Sequence, residues 1–290
     1  MSQEHNKKLI ADLLEVLDLD TVAADRFRGK NPMTARTRAF GGQLVAQAFV
    51  AAQRTAGGMP AYSFQCNFIS PGDLSQPVMY EVDHVSDTKR FGVRQVIAKQ
   101  DNRTILTANA SFYVGEKGFH HQAAKMPRVP PPEDLSTESE LLSGRELPNN
   151  LKRYMACERP FDIRPVERDR FFFLPGSPPT QNIWLRAAAS LPDDPAIHRA
   201  MLAYISDVTM IDTALVTHGK SALHDDVRVA SLTHAVHFHK LPRMDEWLLY
   251  HQESPFADNA LGFVRGQIFA RNGDLVASTF QTGLIKPLEP

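Results

Sequence analysis

An apolar helix followed by a meander of strands occurs twice along this chain, and the second occurrence repeats the first at a nearly constant offset. In the first copy, Leu44, Ala48, Phe49 and Ala52 keep helical spacing over 44–52. Stretches rich in Val, Ile, Phe, Tyr and Thr follow at 62–69, 78–84, 92–99 and 105–113. In the second copy, Leu202, Ile205, Val208, Ile211 and Leu215 predict one amphipathic helix over 201–216. Strands are predicted at 161–166 and 182–188 before it and at 227–239, 247–253, 262–270 and 275–285 after it. Tyr80 and Tyr250 stand 170 residues apart, and the hairpin turns at Asp101-Asn102 and Asn272-Gly273 are offset by 171. An antiparallel sheet can cover a helical layer with one face and pair along its edge, so two such copies can merge into one sheet.

Between the copies, Pro127, Pro130, Pro131 and Pro132 fall within 126–133, and a polar stretch runs on to Asn150. This composition predicts an extended linker and divides the chain into 1–120, 121–157 and 158–290. A total of 290 residues is enough for two units, each with its own core. Outside the repeats, an amphipathic helix over 5–17 and a short strand over 24–30 are expected.

The formal net charge of −1 and a pI near 6.8 provide no global field for nucleic acid or an acidic membrane, so neither is an expected partner. Cys66 and Cys157 are the only cysteines, and no CxxC or Cys/His metal spacing occurs. No apolar leader, no bilayer-length apolar run and no peroxisomal S-K-L ending is present. A cytoplasmic protein without metal, cofactor or stable membrane insertion is expected.

The chemistry-bearing candidates are few. Asp207 has only Ala203, Tyr204, Met210 and Ile211 as helical neighbours, a costly setting for a carboxylate unless it is hydrogen-bonded or used. Asp212 lies among Val208, Thr209, Leu215 and Val216, so environment alone does not choose between the two. Gly41 and Gly42 open the first helix, where they can serve a turn or let a neighbour approach unpaired N–H groups. His234, His237 and His239 share a strand, but His234 points away from the other two, which disfavours a shared metal. The G-x-S-x-G elbow, the Walker A loop and the Rossmann glycine pattern are all absent.

Taken in order, FGGQLVAQ (40–47), FISPGD (68–73), IRPVE (163–167), SDV (206–208), ASLTHAVHFH (230–239), DEWLLY (245–250), GFVRG (262–266) and VASTFQTG (276–283) resemble the type II, TesB-like acyl-CoA thioesterases. The resemblance covers nearly the whole chain and implies an α+β tandem, or double, hotdog. Two antiparallel sheets would each wrap a central helix, joined by the Pro-rich linker. It further implies catalysis by an aspartate, a hydroxyl and a glutamine of the second repeat, which fall on Asp207, Ser231 and Gln281. Ala110 lies near the first-repeat counterpart of Gln281, so only one site is expected to be catalytic. One departure is that Tyr62 and Gln65 stand where some family members carry histidines before the FxxPGD stretch.

Thioester hydrolysis needs a nucleophile, a proton acceptor and donors for the developing oxyanion. The implied reaction converts fatty acyl-CoA, of medium to long chain, to free acid and CoA through a water activated by Asp207 and oriented by Ser231 and Gln281. Strict strand alternation would place Ser231 on one face with Val227, Val229, Thr233 and Ala235, leaving Thr233 as a rival hydroxyl. Gln281 would share a face with Leu275, Ala277, Thr279 and Ile285. Two other readings remain: a silent acyl-CoA-binding double hotdog, and a hotdog enoyl-CoA hydratase, whose D-x-N-P-x-H pattern is missing. Exposed sheet edges and the apolar N-terminal helix suggest a homodimer or a dimer of dimers.

Overall fold

The computed structural model describes residues 3–31, 39–144, 147, 149–167 and 175–288. Helix α1 (Gln3–Leu17) leads into a hairpin of β1 (Asp20–Ala23) and β2 (Arg26–Gly29). The strand expected at 24–30 is β2, and β1 is a further strand before it, since Asp25 takes a left-handed backbone (φ 58°) and turns the chain between the two. Helix α2 (Gly41–Arg54) and strands β3 (Ala61–Phe68), β4 (Val78–Asp87), β5 (Phe91–Gln100) and β6 (Arg103–Tyr113) complete the first repeat.

Two short helices follow, α3 (Glu138–Leu142) and α4 (Asn149–Ala156). The second repeat comprises β7 (Phe161–Pro165), β8 (Thr180–Ala187), α5 (Pro195–Ile205), α6 (Met210–Val216), β9 (Val227–Phe238), β10 (Leu248–Asp258), β11 (Leu261–Ala270) and β12 (Leu275–Pro287).

All twelve strands join one antiparallel sheet in the order β1-β2-β4-β5-β6-β3-β9-β12-β11-β10-β8-β7. The two expected sheets are thus halves of one, and the order reads equivalently from either end. The seam is β3 against β9, from Ser63↔His237 to Asn67↔Thr233. Alternation puts Phe64, Tyr80, Val96, Ala98, Ala108, Tyr250, Val264 and Ile268 on the face that meets the helices, where they form one continuous core with α2, α5 and α6.

The helices pack closely because α2 begins with glycines. A β-carbon on Gly42 would lie 2.2 Å from the Tyr204 carbonyl oxygen of α5.

The stretch expected to be an extended linker lies against the second repeat. Trp184, Leu249 and Phe269 project from the face opposite the helices and pack with Trp247, Leu135, Met126 and Val129. Trp184 Nε1 donates to the Pro130 carbonyl at 2.9 Å, and Arg164 Nη1 donates to the Pro132 carbonyl at 2.8 Å. The Pro132 carbonyl also accepts the Leu135 N–H at 3.2 Å, so this stretch is tied both to itself and to the second repeat.

Candidate active site

The helix expected over 201–216 is interrupted where Asp207 lies. α5 ends at Ile205, Ser206 caps it, and α6 starts at Met210. Thr209 adopts a left-handed conformation (φ 66°), which a β-branched residue holds only when its surroundings impose it. Those surroundings are buried amides. Gln181 Nε2 donates to the Thr209 carbonyl at 2.8 Å, and Gln252 Nε2 donates to Thr209 Oγ1 at 3.0 Å. Tyr250 Oη donates to the Ser206 carbonyl at 2.8 Å, which fixes the other end of the break. The Asp207 carboxylate is therefore presented from a clamped turn between two helices.

Strand β9 carries a second irregularity. Its register with β12 shifts between Thr282↔Thr233 and Gly283↔Ser231, so a bulge brings Ser231 onto the same face as His234, Val236 and Phe238. Ser231 keeps Val227 and Val229 as expected neighbours, but Thr233 and Ala235, expected beside it, lie on the other face. Thr233 turns outward, where its Oγ1 accepts the Thr282 N–H at 3.2 Å, and the bulge separates it from Ser231.

These two irregularities bring the three expected residues together. Gln281 Nε2 donates to Asp207 Oδ1 at 3.0 Å and to Ser231 Oγ at 2.7 Å, so one amide nitrogen ties carboxylate to hydroxyl. Gln281 is 1% exposed and Asp207 9% exposed. Asp212 is drawn elsewhere, its Oδ1 accepting the Ala222 N–H at 2.6 Å.

The first repeat supplies the rest of the site. A β-carbon on Gly41 would lie 2.7 Å from Asp207 Oδ2 and 3.3 Å from Phe68 Cζ. The start of α2, whose N-cap Phe40 offers no side-chain acceptor, thus abuts the carboxylate with its partly positive end. Phe40 packs edge-on against Tyr204 at 5.1 Å. Cys66 of β3 is buried nearby, its thiol pushed up by burial first and by the Asp207 charge second.

Two residues given no role at the site from the sequence, Ser206 and His234, also border it. His234 is the cross-strand partner of Gln281, and its Nε2 lies 2.9 Å from Ser206 Oγ. Burial pushes the imidazole below its ordinary range, against the opposing pull of Asp207. The available signal was position: Ser206 precedes Asp207 in SDV, and His234 shares the ASLTH stretch with Ser231. His239 Nε2 lies 2.9 Å from Ser278 Oγ. Among the described residues no cluster of three His, Cys, Asp or Glu could hold a metal.

The equivalent place in the first repeat is apolar. Phe64↔Ala110 pair as His234↔Gln281 do, and the register shift beside Ala61 matches the one beside Ser231. Ala61, Phe64 and Ala110 are buried, and none carries a side chain able to bind or activate water.

The sequence matches a family model for acyl-CoA thioesterases over residues 151–284 and one for the acyl-CoA thioesterase N-terminal domain over 30–113. It is similar to acyl-CoA thioesterase 2 of Haemophilus influenzae, with 36% identity covering 96% of this chain and 98% of that protein. It also resembles human acyl-coenzyme A thioesterase 8, with 35% identity covering 93% and 88% of the two chains. Among solved structures, the acyl-CoA thioesterase II TesB2 of Mycobacterium marinum superposes with a TM-score of 0.79 at 35% identity, covering 95% of this chain and 98% of that one. A TesB protein of Mycobacterium avium also superposes with a TM-score of 0.79, at 30% identity. The architecture is the tandem hotdog of these structures.

Proposed function

The chain belongs to the acyl-CoA thioesterase family and hydrolyses acyl-CoA thioesters, and we propose that it does so through a water activated by Asp207 and held by Ser231 and Gln281. The supporting observation is the single Gln281 nitrogen bonded to both Asp207 and Ser231. Both amide protons are committed, so Ser231 accepts from Gln281 and keeps its own proton for a third partner. A water bound between that hydroxyl and the Asp207 carboxylate would have one lone pair fixed and a proton acceptor beside it.

Attack on the thioester carbonyl carbon forms a tetrahedral oxyanion as the water proton passes to Asp207. Collapse breaks the carbon–sulfur bond, and that proton leaves with the CoA thiolate. N–H groups at the start of α2, Gly41 and Gly42, are the proposed oxyanion donors. A carboxylate acting at this depth operates where water competes little, which strengthens each of these contacts.

We further propose medium- to long-chain fatty acyl groups as substrates, because Phe40, Phe68 and Tyr204 border the carboxylate with apolar surface. The repeats are taken as 1–120 and 158–290 with 121–157 between them. No helix among the described residues is long and apolar enough to cross a membrane. A cytoplasmic homodimer or dimer of dimers is proposed on the reduced, buried Cys66 and the open sheet edges at β1 and β7.

The test is thiol release from acyl-CoAs of graded chain length, with wild type beside Asp207→Asn. We expect turnover with medium and long chains, and a fall in kcat of at least about 1,000-fold in a variant that melts like wild type. An active Asp207→Asn would remove the carboxylate from the reaction, and turnover confined to acetyl-CoA would overturn the chain-length proposal.

A further inference from the structure

Two buried polar atoms beside the reaction site lack a hydrogen-bond partner among the described residues, His234 Nδ1 and Gln281 Oε1. They belong to residues directly opposed across β9 and β12, and each residue is 1% exposed. Two unpaired polar atoms on facing residues at that depth indicate a bond whose proton has yet to be placed.

The neighbouring contacts say where that proton belongs. Ser206 Oγ lies 2.9 Å from the Ala203 carbonyl oxygen and 2.9 Å from His234 Nε2, but a hydroxyl has only one proton to give. If Ser206 donates to Ala203, His234 must donate from Nε2, and a bare Nδ1 then faces a bare Gln281 oxygen. If Ser206 donates to Nε2, the ring proton of the neutral imidazole sits on Nδ1, where Gln281 Oε1 accepts it. Only the second arrangement gives the two orphan atoms a partner.

We propose that His234 is a positioning residue which, as its Nδ1–H tautomer with Ser206 donating into Nε2, holds Gln281 Oε1 and thereby keeps the amide N–H groups on Asp207 and Ser231. This rests on the reading of those three residues as the reaction machinery. An amide turned over would set its oxygen against the Asp207 carboxylate and its NH2 group against the ring N–H. Asp207 and His234 therefore each penalise the unproductive orientation, one at each end of the amide. The first repeat agrees: where Ala110 replaces the glutamine, Phe64 replaces the histidine.

The test uses the full chain labelled with 15N-histidine, and long-range 1H–15N correlation spectra in which His234→Asn identifies the His234 signals. We expect protonated Nδ1 and bare Nε2 at neutral pH, and a protonated Nε2 would overturn the proposal. Kinetically, His234→Leu should lower kcat by about 10- to 100-fold with KM within about threefold, the usual scale for losing a partner that orients a reacting group. His234→Asn, whose amide nitrogen reaches the place of Nδ1, should recover kcat to within about fivefold of wild type, while His234→Gln should not. Equal losses in the Asn and Gln variants, or no loss in a folded Leu variant, would overturn it. If His234→Leu fails to fold, the Asn and Gln pair and the wild-type spectrum decide. A fully active Asp207→Asn would refute the water-activation reading, whereas the tautomer is read from the unaltered protein.

Discussion

The glycine that opens α2 gives the sharpest separation between folding and chemistry. The alanine β-carbon of Gly41→Ala would fall 2.7 Å from Asp207 Oδ2, whereas ordinary contact begins near 3.4 Å, so the carboxylate must retreat by about 0.7 Å. Asp207 Oδ1 is held to Gln281 at 3.0 Å, and a retreat of that size away from the amide stretches the contact to about 3.7 Å, past hydrogen-bond geometry. Misplacing a reacting group by about 1 Å costs on the order of 100-fold, so Gly41→Ala should lower kcat by about 30- to 100-fold. KM should change little. The atom displaced is the end of a side chain, so the fold should lose no more than about 1 kcal/mol, a few degrees of melting temperature. Gly42→Ala is the contrasting variant. Its β-carbon would sit 2.2 Å from the Tyr204 backbone oxygen, so α2 and α5 themselves must separate. That should cost about 1–3 kcal/mol, read as a melting point lower by roughly 2–8 °C. The assays are thiol release and thermal melting on the same preparations. A Gly41→Ala enzyme with wild-type kcat would refute the claim that Gly41 is a glycine to make room for the carboxylate.

Ser231→Ala should lower kcat by about 10- to 100-fold while Ser231→Thr keeps a hydroxyl and most of the activity, and Thr233→Ala, on the other side of the bulge, should leave kcat unchanged; thiol release from the three variants checks this. A second expectation concerns pH and stability. His84 is raised above its ordinary value of 6.5 by hydrogen bonds to Asp87 first and Asp25 second, 2.9 Å and 3.0 Å away. Its contribution to stability is therefore full below 6.5 and is lost as pH rises through the raised folded value. The melting-point gap between wild type and His84→Ala should be larger at about pH 5.5 than at about pH 8.5, and an equal gap at both would remove the linkage.

The repeat, the order of its strands and the three polar residues were legible because they rest on periodicity and on short stretches that survive as sequence. What escaped was irregular. Ser206, Asp207, Val208 and Thr209 carry no glycine or proline to announce a break, and the left-handed Thr209 is imposed by Gln181 and Gln252, which come from distant strands. The bulge beside Ser231 is similarly silent: alternation counted through Leu232 and Thr233 puts the wrong hydroxyl beside Ser231, and only pairing with β12 shows the slip. The Pro-rich stretch had the composition of a free linker, yet its carbonyls take donors from Trp184 and Arg164, a partnership visible only in three dimensions. Both local departures have the same effect, since each turns a residue of the second repeat toward Gln281.

The origin of the oxygen in the product acid tests the central claim most directly. In a single turnover of excess enzyme with a long-chain acyl-CoA in 18O-water, direct attack by water activated at Asp207 should place the label in the fatty acid and none in the protein. Unlabelled acid, with the label recovered in the Asp207 carboxylate, would show that this carboxylate attacks the thioester itself and would contradict the account.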